Sequence, residues 1–225
     1  MDPYFESWRR SVTFYKHYGS INLTPAELDS IFQNVLEPRY SEPHRHYHTL
    51  DHVMACLDLV EELHCGHLEL AIWFHDVIYD PHLSDNEEKS AELFNEVLGR
   101  HLGGFLGEGN QMARWITRAI LATKPGTIKP EPTSNKNILC TDLALNLLLD
   151  VDLAILGAPE AEFAIYESQI RQEYAFVPEK DFREGRAKIL EGFLAQPSIY
   201  RNTTYLEPQA RANLTRSIAK LRGDI

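Results

Sequence analysis

Histidines are concentrated in the first half of the chain. All ten lie between His17 and His101, and the second half of the sequence has none. If these histidines bind a metal ion, any ligand from the later chain must be a carboxylate. Imidazole and carboxylate side chains together suit first-row divalent metal ions. Three segments carry these residue types at spacings that are compatible with one site.

The first segment, HRHYHTLDHV, contains His48 and His52, four residues apart at the predicted start of a helix. Residues four apart lie on the same face of a helix, so both imidazoles can point toward one site. The same spacing fits a pair of surface histidines, or one buried histidine that donates to a backbone carbonyl. The two side chains are therefore candidates for metal ligation.

The second segment, LELAIWFHDVIYD, places the adjacent pair His75 and Asp76 directly after a run of large apolar side chains. A carboxylate held against apolar packing is unfavourable unless it is paired, hydrogen-bonded or bound to a metal. A divalent ion would satisfy both side chains. The alternative is a histidine at a helix end, followed by a solvated aspartate.

The third segment, LALNLLLDVDLAILG, has Asp150 and Asp152 within an otherwise strongly apolar helix. Residues two apart on a helix face different directions, so at most one of them can meet a given ion directly. The alternative is that both aspartates cap or break the helix at this step. The segment thus offers one late carboxylate ligand, and the spacing does not choose between the two.

The elements that must position these residues are predicted to be helices. Periodic apolar segments are separated by short runs of Pro, Gly, Asn or Asp, and no alternating run indicates a sheet. Two capping-box patterns, TPAE from Thr24 and SDNE from Ser84, predict helices that end near Glu37, before Pro38, and near Gly99. Further helices are predicted near 5–18, 48–63, 67–79, 108–122, 137–155, 159–173, 179–195 and 207–221.

Composition limits the class of protein and its partners. The 225 residues are 44% hydrophobic and 24% charged, as in a folded globular chain, and this length suits one domain. A net charge of −11 disfavours nucleic acid polymers and anionic membrane surfaces as partners. No apolar run is long enough for a transmembrane helix, and MDPYFESWRR does not have the pattern of a signal peptide, so a cytoplasmic location is expected.

The order of His52, then His75-Asp76, then a late Asp resembles the HD superfamily of metal-dependent phosphohydrolases. The segments RYSEPHRHYHTLDHV, AIWFHDVIYD, NEEKSAEL and DVDLAILG are more closely similar to an uncharacterised group of predicted metal-dependent HD phosphohydrolases. The resemblance covers roughly residues 35–160. It implies an all-α fold, with a single HD-type helical domain over residues 1–225 and additional C-terminal helices at about 159–221.

The resemblance implies four metal ligands, namely His52, His75, Asp76 and Asp152. Asp152 matches the Asp of the superfamily's A-D-x-L pattern, and Asp150 is the second choice. Members often carry a His after an Ala-Thr-Lys segment, whereas this chain reads LATKPGTIKP, which argues against a two-metal site that needs that His. Two imidazoles and two carboxylates favour Mn²⁺, Fe²⁺, Co²⁺ or Ni²⁺ as the divalent metal ion, and Mg²⁺ remains an alternative.

Similarity to the superfamily also suggests residues that act beside the ion. The predicted catalytic residues are Asp80, Glu87 and His48, and Glu88 is expected nearby. A carboxylate such as Asp80 or Glu87 would accept or relay a proton. Four cationic side chains are candidates for binding substrate oxygens, namely Arg45, His48, Lys89 and Lys124. His48 is the first choice, and each of the four is also compatible with a solvated surface charge. Lys89 alternatively neutralises the Glu87-Glu88 pair.

The expected reaction is hydrolysis of a phosphate ester or pyrophosphate bond in a small phosphorylated substrate, for example a nucleotide. One alternative is an alarmone-type pyrophosphohydrolase, whose His-Asp-x-x-Glu-Asp motif resembles residues 75–80 except that Tyr79 replaces the Glu. A second alternative is a metal-containing nucleotide sensor without catalytic activity. An apolar stripe in the C-terminal helices is typical of a core and also suits a homodimer face.

Overall fold

The computed structural model describes residues 2–17, 21–102, 111–125 and 142–223. Regular secondary structure within these ranges is helical, apart from an isolated antiparallel bridge between Ile21 and Leu102. The all-α prediction is confirmed. The α-helices are α1 (Pro3–His17), α2 (Pro25–Ile31), α3 (Glu37–Tyr40), α4 (Leu50–Asp58), α5 (Gly66–Phe74), α6 (Asn86–Val97), α7 (Gln111–Ala122), α8 (Asp142–Asp152), α9 (Glu160–Glu173), α10 (Glu179–Leu194) and α11 (Glu207–Arg222).

Short 3₁₀ turns follow several of these helices, at Glu61–Leu63, Gly99–His101, Ala154–Gly157 and Thr204–Leu206. The predicted helices have observed counterparts, although two end well before their predicted ends. The helix predicted over 48–63 ends at Asp58, and a 3₁₀ turn follows at Glu61–Leu63. The helix predicted over 67–79 ends at Phe74, so the His75-Asp76 pair lies just beyond it. The parts of two predicted helices at 108–110 and 137–141 lie outside the described residues.

The start of α2 confirms the first predicted capping box. The Thr24 hydroxyl accepts from the Glu27 backbone N–H, and the Glu27 carboxylate accepts from the Thr24 backbone N–H at 2.7 Å. The prediction that Pro38 ends this helix is wrong. A π-helical turn at Phe32–Leu36 intervenes, and Pro38 then lies in the first turn of α3. Proline is tolerated there because the first turn of a helix does not use its backbone N–H groups.

The second predicted capping box does not form. Helix α6 begins one residue later than that pattern requires, with Asp85 at the N-cap and no side-chain cap hydrogen bond. Asn86 instead turns toward the preceding loop, where its side chain bonds to the backbone N–H and carbonyl of Asp80. These bonds tie the start of α6 to the loop that follows the His-Asp pair.

The chain divides into two compact units, residues 1–148 and 149–225, and the division falls within α8. The organisation as one domain stays a prediction. In the first unit, α1, α4, α6 and α7 pack against α5. Helix α5 is apolar on every side, and Leu68, Leu70, Ala71, Ile72, Trp73 and Phe74 are all fully buried. A helix of this kind forms the centre of a core.

Trp73 shows how α5 is held in the first unit. Its indole Nε1 donates to the Ser11 hydroxyl at 3.1 Å, and its ring meets the Trp8 ring edge-on, with the centroids 5.6 Å apart. An edge-to-face aromatic pair contributes about 0.5–1.5 kcal/mol beyond its buried area. The C-terminal end of α5, where the His-Asp pair begins, is therefore firmly placed.

The second unit is built mainly on the packing of α10 against α11. The buried Asn213 donates to the backbone carbonyls of Leu156 and Ala158, which ties α11 to the 3₁₀ turn that follows α8. Buried amides of this kind are stable when their hydrogen bonds are satisfied. Within the described ranges, no helix combines the length and apolar character needed to cross a membrane.

Candidate metal centre

His75 is buried at the end of α5, only 1% exposed. Its Nδ1 atom lies 2.8 Å from the carbonyl oxygen of Ile72. Because a carbonyl can only accept a hydrogen bond, Nδ1 carries the proton, and Nε2 is the unprotonated nitrogen whenever the ring is neutral. The α5 backbone thus selects the tautomer in which Nε2 is available as a metal ligand.

His52 approaches His75 from α4. The two Nε2 atoms lie 3.2 Å apart, and both side chains are buried. First-row divalent ions bind imidazole nitrogen at about 2.1 Å, which places neighbouring ligand atoms of one ion about 3 Å apart. The observed separation therefore suits two imidazoles that share a single ion. The Cys56 thiol lies one helical turn further along α4, with its sulfur 3.9 Å from His52 Nδ1.

Asp76 completes a group of three side chains within the first unit that could bind a metal ion. Its Oδ2 atom lies 3.1 Å from His75 Nε2 and 3.7 Å from His52 Nε2, and its side chain is 18% exposed. The ligand atoms of these residues all lie within 4.8 Å of one another. Two nitrogens and a carboxylate oxygen that converge on one point could hold a metal ion.

Asp150 and Asp152 belong to the second unit, where their environments differ. Asp150 is buried, and its carboxylate accepts from the backbone N–H groups of Arg201, Asn202 and Thr203 at 2.8, 2.5 and 2.9 Å. It therefore holds the chain segment that leads into α11. Asp152 is the last residue of α8 and is partly buried. Its assignment as a metal ligand stays a prediction.

His48 lies beside the cluster. Its ring stacks on the Tyr79 ring, with centroids 4.1 Å apart and the planes inclined by 24°, and its centroid is 6.0 Å from that of His52. The one-turn spacing from the sequence thus brings His48 close to a proposed ligand. Its role in catalysis or substrate binding stays a prediction.

The two carboxylates predicted to accept a proton have opposite pKa shifts. Burial raises the pKa of Glu87 above its ordinary value, and the negative charge of Asp76 raises it further. Hydrogen bonds from the backbone N–H and the ring of His82 lower the pKa of Asp80. A raised pKa makes Glu87 the better proton acceptor near neutral pH, whereas the hydrogen bonds of Asp80 order the loop after the His-Asp pair.

The two predicted substrate-binding lysines both form ion pairs. Lys124 Nζ lies 2.5 Å from Glu88 and donates to the backbone carbonyl of Ser84 at 2.7 Å. This contact lowers the pKa of the Glu88 carboxyl and raises that of Lys124. Lys89 pairs with Asp85 at 2.9 Å rather than with the Glu87-Glu88 pair. Substrate binding by either lysine stays a prediction.

Arg45, also predicted to bind substrate, has a fully buried side chain. Its guanidinium donates to the Glu42 carboxylate and to the backbone carbonyls of His48, Asp76 and Val77. These contacts direct it into the protein, toward the backbone of the ligand-bearing segments.

Three residues that support the site were not predicted from the sequence. Tyr40 donates to the Trp73 carbonyl at 2.9 Å, near the end of α5. The buried Ser90 hydroxyl accepts from the Ile78 backbone N–H, and Asn86 bonds to the backbone of Asp80. Asn86 and Ser90 are four residues apart on α6, so a polar pair on one helix face next to the loop was the available signal.

No family model, curated protein or solved structure matches the chain. What the structure supports directly is a helical protein with a His-Asp cluster that could bind a metal ion. Superfamily membership and activity rest on the resemblance of the motifs and belong to the proposal that follows.

Proposed function

We propose that the protein is a metal-dependent phosphohydrolase of the HD superfamily, which cleaves a phosphate ester or pyrophosphate bond in a small substrate such as a nucleotide. The observation that carries the proposal is the convergence of His52 Nε2 and His75 Nε2, 3.2 Å apart, beside the Asp76 carboxylate. Buried imidazoles of this arrangement, with one tautomer selected by the backbone, are typical of a metal centre.

His52, His75 and Asp76 are the proposed protein ligands, and Asp152 is the proposed fourth. The commitment of Asp150 to three backbone N–H groups supports this choice. The mixed nitrogen and oxygen donors favour Mn²⁺, Fe²⁺, Co²⁺ or Ni²⁺. A bound divalent ion supplies polarisation of a phosphoryl oxygen and acidification of a water molecule.

Glu87 is the proposed proton acceptor for the attacking water. Its carboxyl is partly buried, and its pKa is raised by burial and by the charge of Asp76, which brings proton exchange closer to neutral pH. His48, stacked on Tyr79, is the first choice for contact with a substrate phosphate oxygen. Protonated imidazole binds phosphate through a charge-assisted hydrogen bond.

The test combines elemental analysis of the purified protein with a phosphate-release screen. Nucleotides and simple phosphate esters are incubated with the protein and Mn²⁺, Co²⁺, Ni²⁺ or Mg²⁺, and released phosphate and pyrophosphate are measured. His75→Ala should abolish release. The matched control is His67→Ala, which removes another buried histidine of α5, one that packs on Trp115. Activity that survives in His75→Ala would refute the proposal, and nucleotide binding without turnover would favour the sensor alternative.

A further inference from the structure

The buried side chain of Arg45 donates mainly to backbone carbonyls. Nη1 donates to the carbonyl oxygens of His48 at 3.0 Å and Asp76 at 2.7 Å, and Nη2 donates to that of Val77 at 3.1 Å. Nε donates to the Glu42 carboxylate at 3.0 Å. Three of the four hydrogen bonds therefore go to backbone carbonyls.

The guanidinium also lies between two aromatic side chains. Its central carbon is 5.1 Å from the centroid of the Tyr40 ring and 5.5 Å from that of Tyr79. A fully buried charge is unfavourable unless it is paired and its hydrogen bonds are satisfied. Glu42, the carbonyls and the two rings together meet this requirement, so the position of the guanidinium is closely defined.

The carbonyl partners belong to the two segments that deliver the metal ligands. His48 lies in the loop before α4, four residues ahead of His52, whereas Asp76 is itself a proposed ligand just beyond the end of α5. All three carbonyls lie outside the helices, and the Arg45 guanidinium supplies donors to them. The buried Arg45 side chain thus links the loop that leads to His52 with the segment that contains Asp76.

We infer that Arg45 is a positioning residue of the metal centre, which holds the backbone of Asp76 and Val77 against the loop that leads to His52. This inference rests on the metal centre of the proposed function. It assigns to Arg45 a role that acts through the ligands, without contact to substrate. Loss of its hydrogen bonds should let the Asp76 carboxylate and the His52 imidazole separate.

The experiment titrates metal-free protein with Co²⁺ and follows the visible absorption of the bound ion, which reports on ligand number and geometry. Arg45→Lys keeps the positive charge, but the ammonium group of lysine cannot donate to three carbonyls and a carboxylate as the planar guanidinium does. We expect Co²⁺ affinity about 10- to 100-fold below wild type and an altered spectrum. Arg45→Met should lose at least as much.

Arg171→Lys is the matched control. Arg171 donates to the Glu179 carboxylate and to the carbonyls of Tyr174 and Val177, and its guanidinium lies over the Phe182 ring. Arg171→Lys therefore removes the same kinds of contact as Arg45→Lys, but near the C-terminal end of α9. Its melting temperature should fall, while its Co²⁺ affinity stays within about twofold of wild type, since these contacts include no proposed ligand.

Unchanged Co²⁺ affinity and spectrum in Arg45→Lys would overturn the inference, as would an equal loss of affinity in Arg171→Lys. If Arg45→Lys does not fold, Glu42→Gln replaces it, because that change weakens the hold on the guanidinium and leaves the arginine in place. Unchanged affinity in Glu42→Gln then overturns the inference. If wild-type protein binds Co²⁺ but releases no phosphate, the proposed activity is contradicted and the inference on Arg45 is not. Absence of saturable Co²⁺ binding by wild type overturns both.

Discussion

The Nε2 atoms of His52 and His75 lie 3.2 Å apart although the residues are separated by 23 positions in the chain. Since both imidazoles would bind the same ion, their contributions to metal affinity should not add. We expect His52→Ala and His75→Ala each to weaken Co²⁺ binding by at least about tenfold. The double variant should be little weaker than either single one. Calorimetric titration of the three variants measures this, and additive losses would show that the histidines serve separate sites.

Asp150 and Asp152 should respond differently to replacement by asparagine. Asp152→Asn should lower metal occupancy and phosphohydrolase activity together. Asp150→Asn should retain the metal and reduce the free energy of unfolding by about 1–3 kcal/mol, because a neutral amide replaces a buried carboxylate that accepts three backbone N–H bonds. Metal content and melting temperature of both variants provide the measurement. Metal loss in Asp150→Asn with retention in Asp152→Asn would require the ligand assignment to be exchanged.

The pH dependence of activity should identify Glu87 as the proton acceptor. Activity should rise with pH as Glu87 ionises, and burial of the carboxyl, which raises the pKa of Glu87, should move the midpoint of this rise above the ordinary pKa of glutamate. Glu87→Gln should remove this dependence and lower kcat by about 10²- to 10⁴-fold. The control is Asp80→Asn, which should keep the rise. A pH profile of kcat for Glu87→Gln that matches wild type would contradict the assignment.

The same raised pKa affects the stability of the metal-free protein. A carboxyl whose pKa is higher in the folded than in the unfolded state makes the folded state less stable once the pH exceeds the unfolded value. Glu87→Gln should therefore melt at the same temperature as wild type in acid and at a higher temperature near neutral pH. Asp80→Asn should show the opposite trend, because the pKa of Asp80 is lowered and its ionised form favours folding. Melting curves across this pH range test both signs.

Removal of the metal should abolish activity. Chelated and dialysed protein should release no phosphate, and activity should return best with Mn²⁺, Co²⁺ or Ni²⁺ because the proposed ligands combine imidazoles with carboxylates. Restoration assays with each ion, after metal analysis has verified the apo state, give the measurement. Undiminished activity in verified apo protein would exclude a metal-dependent mechanism.

Helices were predictable because their signals are local. Apolar periodicity located α1 and α9 to α11 closely, and the Thr24 pattern formed its capping box, whereas the predicted ends of α4 and α5 lie beyond the observed ones. The capping box predicted at Ser84 does not form, since α6 begins at Asn86 with Asp85 at its N-cap. The prediction that Pro38 ends the helix was wrong because a π-helical turn at Phe32–Leu36 precedes it, so that Pro38 lies in the first turn of α3.

At the site, residue types and spacing left several alternatives open, and the resemblance to the HD superfamily implied His52, His75 and Asp76, whose side chains converge in the structure. The environment of Arg45 could not be predicted. Its decisive partners are the carbonyls of residues 31 and 32 positions away, and a backbone carbonyl has no signature in the sequence. The opposite pKa shifts of Glu87 and Asp80 also depend on burial and on hydrogen bonds that only the folded chain defines.

Trp73 precedes His75 by two residues and is sealed in the core, as are Trp8 and Trp115, the other tryptophans of the chain. Light emitted by the protein therefore comes from rings shielded from water. Co²⁺ bound at the proposed metal centre should quench the emission of Trp73, whose position in the chain is two residues from His75. Trp73 thus offers an optical reporter of ion binding at the proposed centre, with no label attached.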